Sequence, residues 1–271
     1  MIIVQLSDLH LRADGRYPRH DAGAALSLAV SVINRMRPRS DAVLFTGDLL
    51  DRSTRDYTPV RLMLRALSVP LLAVPGNHDD PAAFRRAFGN DLAYAPEHLS
   101  FVHACADGRV IGLDSNGPGG SAMLDSGRLA WLEDRLREDD RPTLIGMHHP
   151  PFTTGMPRYD DAPFPGADAL MRLLAAYAER VRLVAGHTHR ALTGFIGGVQ
   201  VGIGPPLGHA LALGLVPDAP HAHTPEAPAM HIHLIDQRQS ITHSLALAPD
   251  QPVEAMTGML DAAGRSRLIA P

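Results

Sequence analysis

Five times in the first 190 residues a short apolar run stops and gives way at once to Asp, Asn or His. Residues 2–6 lead into Ser7-Asp8-Leu9-His10, and residues 42–45 into Thr46-Gly47-Asp48. Residues 70–74 lead into Pro75-Gly76-Asn77-His78-Asp79, 143–147 into His148-His149, and 181–185 into Gly186-His187-Thr188-His189-Arg190. Runs of this length bounded by turn signals read as strands. Amphipathic stretches with helical spacing fall among them, at 22–36, 58–67, 81–88, 126–137 and 168–179, with one more strand at 110–113. Pro59 suits a first helical turn and Ser126 an N-cap. Strands and helices in alternation imply an α/β fold. Open α/β sheets build their sites beyond the C-terminal ends of strands, where these polar residues fall. Glycines 47, 76 and 186 permit the tight turns and close backbone approach such loops need.

The last third differs. Residues 195–204, 230–235 and 240–247 read as short strands, and the Gly-, Pro- and His-rich stretch 204–228 reads as a long loop. A loop of that length is usually functional or holds a partner. At 271 residues the chain suffices for one large α/β domain, expected over 1–249 with that loop included, and 250–271 forms a C-terminal tail.

Composition narrows the function. The apolar fraction of 45% supports a substantial core. A net charge of −4 argues against a broad basic surface gripping a nucleic acid polymer, yet leaves room for a small phosphate ester whose charge bound metals would offset. The single cysteine, Cys105, rules out an internal disulfide and reads as a small core residue. No signal-peptide pattern and no run of the roughly 20 apolar residues that span a bilayer are present, so a cytoplasmic protein without a membrane partner is expected.

The polar residues at the strand ends fit metal chemistry. Imidazole and carboxylate ligands suit Zn, Fe, Mn or Co. On an extended segment Asp8 and His10 share one face, as do His187 and His189. The ligands are too many for one ion, and a carboxylate such as Asp48 can bridge two. Two ions roughly 3.5–4 Å apart hold a hydroxide, lower its pKa and bind phosphate oxygens. A neighbouring imidazole can stabilise those oxygens or protonate the leaving group. Any one motif alone is weak evidence; five of them, each after a strand, are not. His20, His98, His103 and His243 are isolated and read as structural or solvated, and Trp131 as core or interface.

Together the motifs Asp8-Leu9-His10, Gly47-Asp48, Gly76-Asn77-His78, His148 and Gly186-His187-Thr188-His189 resemble those of the calcineurin-like metallophosphoesterase superfamily. Ser7-Asp8-Leu9-His10, Pro75-Gly76-Asn77-His78-Asp79-Asp80, Met147-His148-His149-Pro150-Pro151 and His243-Ser244-Leu245-Ala246 are most similar to the class III cyclic-nucleotide phosphodiesterase and bacterial glycerophosphodiesterase branch. The resemblance implies a four-layer α-β-β-α sandwich of two mixed sheets with helices on both outer faces. It implies two divalent metals per chain, one held by Asp8, His10, Asp48 and His189, the other by Asp48, Asn77, His148 and His187. His78 would stand beside the substrate phosphate. Every ligand position is filled, so an active enzyme is expected: a hydrolase of small phosphodiesters, either glycerophosphodiesters or cyclic nucleotides, working through a metal-bound hydroxide. The resemblance and the long loop also favour a homo-oligomer, a dimer or larger.

Several readings stay open at this stage. They are a broad phosphomonoesterase, a nuclease or protein phosphatase on the same core (with Arg52 and Arg190 near the motifs), and a metal-bound scaffold. His149, Asp51 and Asp79 are candidates to support the ligands. His209, His221 and His223, and separately Tyr17, Arg19, His20 and Asp21, are candidate pocket walls.

Overall fold

The computed structural model describes residues 1–14, 21–160 and 164–247. Its elements begin with β1 (Ile2–Leu6), α1 (Ala22–Arg35), β2 (Ala42–Thr46), α2 (Thr58–Leu64), β3 (Leu71–Val74) and α3 (Pro81–Phe88). The middle of the chain supplies β4 (Phe101–Cys105), β5 (Gly108–Gly112), α4 (Ser126–Glu138), β6 (Thr143–Gly146), α5 (Pro157–Asp160), α6 (Ala167–Ala175) and β7 (Val181–Ala185). The remainder is β8 (Leu192–Ile196), β9 (Val199–Ile203), β10 (Ala210–Leu211), β11 (His223–Thr224), β12 (Ala229–Ile235) and β13 (Ser240–Ala246).

Two mixed sheets form the frame, ordered β13-β12-β1-β2-β3 and β4-β5-β6-β7-β9-β8. In the first, β1, β2 and β3 are parallel, and the antiparallel hairpin β12–β13 joins at β1. In the second, β5, β6, β7 and β9 are parallel, with antiparallel edges at β4 and β8. The central strands of the second sheet are buried on both faces, and their alternate residues serve two cores. Val110, Leu144 and Val184 join the core that β1–β3 share with α1, α2 and α3. Ile111, Ile145 and Leu183 point the other way, into the core formed with Leu132 and Leu136 of α4 and Leu170 and Leu174 of α6. The sheets therefore face each other, with a helical layer outside each, as the resemblance implied.

Local chemistry explains the boundaries. Asp21 caps α1 by accepting the Ala24 N–H at 2.8 Å; Tyr17, Arg19 and His20, named with it as a candidate pocket wall, lie outside the described residues. Asp80 caps α3 in the same way, so the Asn77–Asp80 run both reaches the site and starts a helix. Pro59 falls in the first turn of α2 as expected, whereas α4 is capped by Asp125 rather than Ser126.

The structure departs from the sequence expectations at residues 195–204, 101–105 and 204–228. Residues 195–204 are not one strand but most of the hairpin β8–β9, turning on Gly197-Gly198, where φ is +58° and +84°. A two-residue turn with both φ positive matches strand twist and favours glycine. Strand β4 was not anticipated, and Cys105 at its end is only half-buried. The stretch 204–228 carries a small hairpin, β10–β11, whose residues Leu213, Leu215 and Val216 are exposed. The expected tail 250–271 lies outside the described residues. Among the described residues no helix is long and apolar enough to cross a membrane.

Candidate metal centre

The loops that follow β1, β2, β3, β6 and β7 converge on one spot. The loops after β1 and β2 run side by side: the Asp8, His10 and Leu11 N–H groups donate to the carbonyls of Gly47, Asp48 and Leu49. Asp8 and His10 are not extended, as sequence alternation supposed. Both are left-handed, with φ of +52° and +51°, and so are Asp48, His187 and His189. These five are the positive-φ non-glycine residues among the described residues. Each such conformation costs of order 1–3 kcal/mol and persists where surrounding bonds over-determine it, which is characteristic of functional sites.

Asp8, His10, Asp48 and His189 form one buried group whose ligand atoms lie within 4.8 Å of one another. His10 Nε2 is 3.0 Å from His189 Nε2 and 3.3 Å from Asp48 Oδ2, and His189 Nε2 is 3.7 Å from Asp8 Oδ1. On the other side of Asp48, His148 Nε2 lies 3.4 Å from the same Oδ2. It also lies 3.0 Å from Asn77 Oδ1 and 3.3 Å from His187 Nδ1. Asn77 Oδ1 is likewise 3.0 Å from His187 Nδ1. Asp48 thus stands between two sets of donors, and the seven residues expected as ligands from the sequence lie together. His149, expected only as a support, belongs to a group with His148 and His187. Its Nδ1 contacts Ser115 Oγ at 3.0 Å.

Hydrogen bonds behind the cluster fix its tautomers. His148 Nδ1 faces the Thr46 carbonyl at 2.9 Å and His189 Nδ1 faces the His209 carbonyl at 2.8 Å. A carbonyl only accepts, so each Nδ1 carries a proton and each Nε2 is the atom that faces into the cluster. A neutral His148 would then set Nε2 against the lone pairs of Asn77 Oδ1 and Asp48 Oδ2, an arrangement that calls for a cation. In the protein alone a second proton supplies it: burial opposes protonation, but Asp48 pushes the His148 pKa to about 9. Burial would raise the Asp48 carboxyl, yet the His148 and His10 rings hold it well below the usual carboxylate range. Burial holds His10 well below the usual histidine range and pushes His187 to about 3, so both are neutral donors. A set of carboxylates, neutral imidazoles and an amide oxygen fits divalent metal ions.

His78 stands at the edge. Its backbone N–H donates to Asp48 Oδ1 at 2.8 Å, its ring meets His10 edge-on at 4.5 Å, and burial lowers its pKa. Among the described residues His78 Nδ1 has no hydrogen-bond partner. Asp51 lies within the same reach of His10 and His78. Asp79 braces the loops from beneath, accepting the Leu49, Leu50 and Gly76 N–H groups and the Tyr57 hydroxyl at 2.7–3.2 Å. Burial and the charge of Asp48 push it up to about 6.

Gly76 shows how tightly the loops approach: a Cβ there would collide with Oδ1 of Asp48. Gly76→Ala is expected to cost roughly 1–3 kcal/mol, as overpacking does, and to weaken Mn²⁺ uptake. Thermal melting and Mn²⁺ titration check this; wild-type values in both would contradict the close approach.

Other sequence candidates sort themselves. Arg190 bonds the Leu211 carbonyl and Glu226, pinning the β10–β11 hairpin rather than clamping a phosphate, while Arg52 is exposed beside His78. The His209 ring lies 4.4 Å from that of His189 and 4.7 Å from that of His223. His221 lines a cleft next to the centre. His98 packs edge-on against Trp131, which is half-buried on the second core, and His103 and His243 sit in edge strands away from the centre. Tyr159, whose ring is 5.5 Å from that of His187, was not anticipated, because the single turn of α5 leaves no periodic signal.

Fold and centre together define a metal-binding phosphoesterase, and comparison gives it a family. A family model for calcineurin-like phosphoesterases matches residues 1–191, and the chain belongs to that family. It is 34% identical over 249 residues to a probable glycerophosphodiester phosphodiesterase, GpdQ, of Arcobacter nitrofigilis, covering 89% of this chain and 91% of the relative. It is 31% identical to a probable cyclic nucleotide phosphodiesterase of Rhodopseudomonas palustris, covering 93% and 95%. Among solved structures, a dimetal phosphatase from Danio rerio superposes with a TM-score of 0.66 at 16% identity, covering 92% of this chain and 96% of the other, a likeness of fold.

Proposed function

We propose that this chain is a binuclear metal-dependent phosphodiesterase that hydrolyses small phosphodiesters. The observation that carries the reading is the position of Asp48 between two donor sets, Asp8/His10/His189 and Asn77/His148/His187. Two divalent ions, drawn from Fe, Mn, Zn or Co, would supply a water of lowered pKa and positive charge at the phosphoryl oxygens. The protein's own part is to hold the ligands in fixed tautomers and to present His78, a ring that burial keeps largely neutral, beside the phosphate as a hydrogen-bond partner for the phosphoryl or leaving oxygens. The phosphoesterase domain is assigned to 1–249.

Two clefts flank the centre and support a substrate with two organic arms. One, of about 230 Å³, is bounded by His149, Pro151, Phe152, Phe164 and His187. The other, of about 240 Å³, lies along Thr188, Leu211 and His221. Tyr159 lines both. An acyclic diester such as a glycerophosphodiester places one alcohol in each, whereas a 3′,5′-cyclic nucleotide has a single arm to place. A cytoplasmic homo-oligomer is the proposed setting, the exposed Leu213, Leu215 and Val216 giving an apolar surface for self-association.

The test is steady-state hydrolysis by Mn²⁺-loaded protein of an aryl phosphodiester, an aryl phosphomonoester, a glycerophosphodiester and 3′,5′-cAMP. The expected order puts the two acyclic diesters above the monoester and the glycerophosphodiester above cAMP. A preference for the monoester would reject the diesterase reading, and a preference for cAMP would reject the two-arm assignment alone.

A further inference from the structure

We propose that a one-way hydrogen-bond chain, Thr242–His233–Gln5–Thr46–Ser7–Asp8, fixes the Asp8 carboxylate, making Gln5, Thr46 and Ser7 positioning residues of the metal centre; this rests on the metal-centre reading above.

Gln5 is a polar residue on a central strand, only 1% exposed. Its Nε2 lies 2.8 Å from the Ala185 carbonyl and 3.0 Å from Thr46 Oγ1, and its Oε1 lies 3.1 Å from His233 Nε2. The carbonyl only accepts, so the amide nitrogen must face it, and Oε1 must face His233. Oε1 also only accepts, so His233 Nε2 carries the proton. His233 is buried, and burial with its neighbour His231 pushes its pKa to about 3, so the ring stays neutral. Nδ1 is then bare and accepts the Thr242 hydroxyl proton at 2.9 Å.

The other half runs the same way. Thr46 Oγ1 takes an amide proton from Gln5 and gives its own to Ser7 Oγ at 2.8 Å. Ser7 Oγ gives its proton to Asp8 Oδ2 at 2.6 Å. The alternative acceptors are more distant: the Leu6 carbonyl for Thr46 at 3.3 Å and the Thr46 carbonyl for Ser7 at 3.4 Å. Every donor therefore points toward Asp8.

The chain spans β13, β12, β1 and β2, and the bond to Ala185 ties it to β7 in the opposite sheet, one residue before Gly186-His187. A single amide thereby links the ends of three strands that carry the centre. Asp8 is fully buried, so its two oxygens depend on donors supplied by the protein; besides Ser7, the His187 N–H donates to it at 3.0 Å. Buried polar networks rigidify when every member is satisfied, and outer partners of metal ligands typically carry 10–100-fold in affinity.

Thr46→Val removes the hydroxyl at nearly constant shape, and Thr46→Ser retains it. Each metal-free protein is titrated with Mn²⁺ calorimetrically and melted to confirm the fold. Thr46→Val is expected to weaken Mn²⁺ binding roughly 10–100-fold, with Thr46→Ser close to wild type. Wild-type affinity in Thr46→Val, or equal weakening in both variants, would overturn the proposal. Independently, ¹⁵N shifts of labelled metal-free protein should show His233 protonated at Nε2; the Nδ1–H tautomer would reverse the chain and overturn it. Wild-type protein that takes up no Mn²⁺ would instead defeat the metal-centre reading and with it the positioning role, even if the His233 tautomer is as expected.

Discussion

Replacing Asp48 with alanine should remove both metal positions at once and lower turnover by about 10³-fold or more, the scale on which loss of transition-state electrostatics is felt. Asp48 Oδ2 is within 3.4 Å of both His10 and His148, whereas the close side-chain contact of Asp8 is with His189. The substitution also relieves a buried charge and leaves the His78 N–H without its acceptor, so the His78 loop should loosen. Elemental analysis after dialysis reads the metal content directly. Two tightly bound ions retained by Asp48→Ala would remove the bridging role from this residue, whatever the activity.

His78→Ala should separate chemistry from metal binding. Among the described residues the His78 ring hydrogen-bonds no other side chain, its tie to Asp48 is through the backbone N–H, and its Nδ1 has no partner. Truncation therefore leaves the donor sets intact. We expect metal content unchanged and kcat lower by roughly 10²–10⁴-fold, the usual range for a general acid–base group. An unchanged kcat on an alkyl diester would take His78 out of the mechanism.

Much of this centre is legible in sequence, because metal ligands are few in kind and α/β folds place them just after strands. That rule and the count of motifs bring out Asp8, His10, Asp48, Asn77, His78, His148, His149, His187 and His189 together, and the resemblance to the family singles out the seven proposed as ligands. Their backbone conformation was not legible: alternation predicts an extended Asp8-Leu9-His10, and the left-handed turn arises from the parallel bonds to Gly47, Asp48 and Leu49. His149 could not be told from a support, since adjacent histidines diverge or converge according to a turn set by Ser115. The β8–β9 hairpin was hidden because its two strands merge into one apolar run unless Gly197-Gly198 is given full weight as a turn. Strand β4 half-buries His103 and Cys105 behind Phe101 and exposes Val102 and Ala104, so its sequence lacks the apolar–polar alternation that would mark it. Gln5 and His233 look like flaws in apolar strands. Their meaning lies in a contact across 228 residues of sequence, which no local pattern carries.

The most direct test is to titrate metal-stripped protein with Mn²⁺ while following hydrolysis of an aryl phosphodiester. The two donor sets around Asp48 predict no turnover without metal and activity that saturates at two equivalents per chain. Turnover that survives chelation, or that saturates at one equivalent, would contradict a binuclear centre.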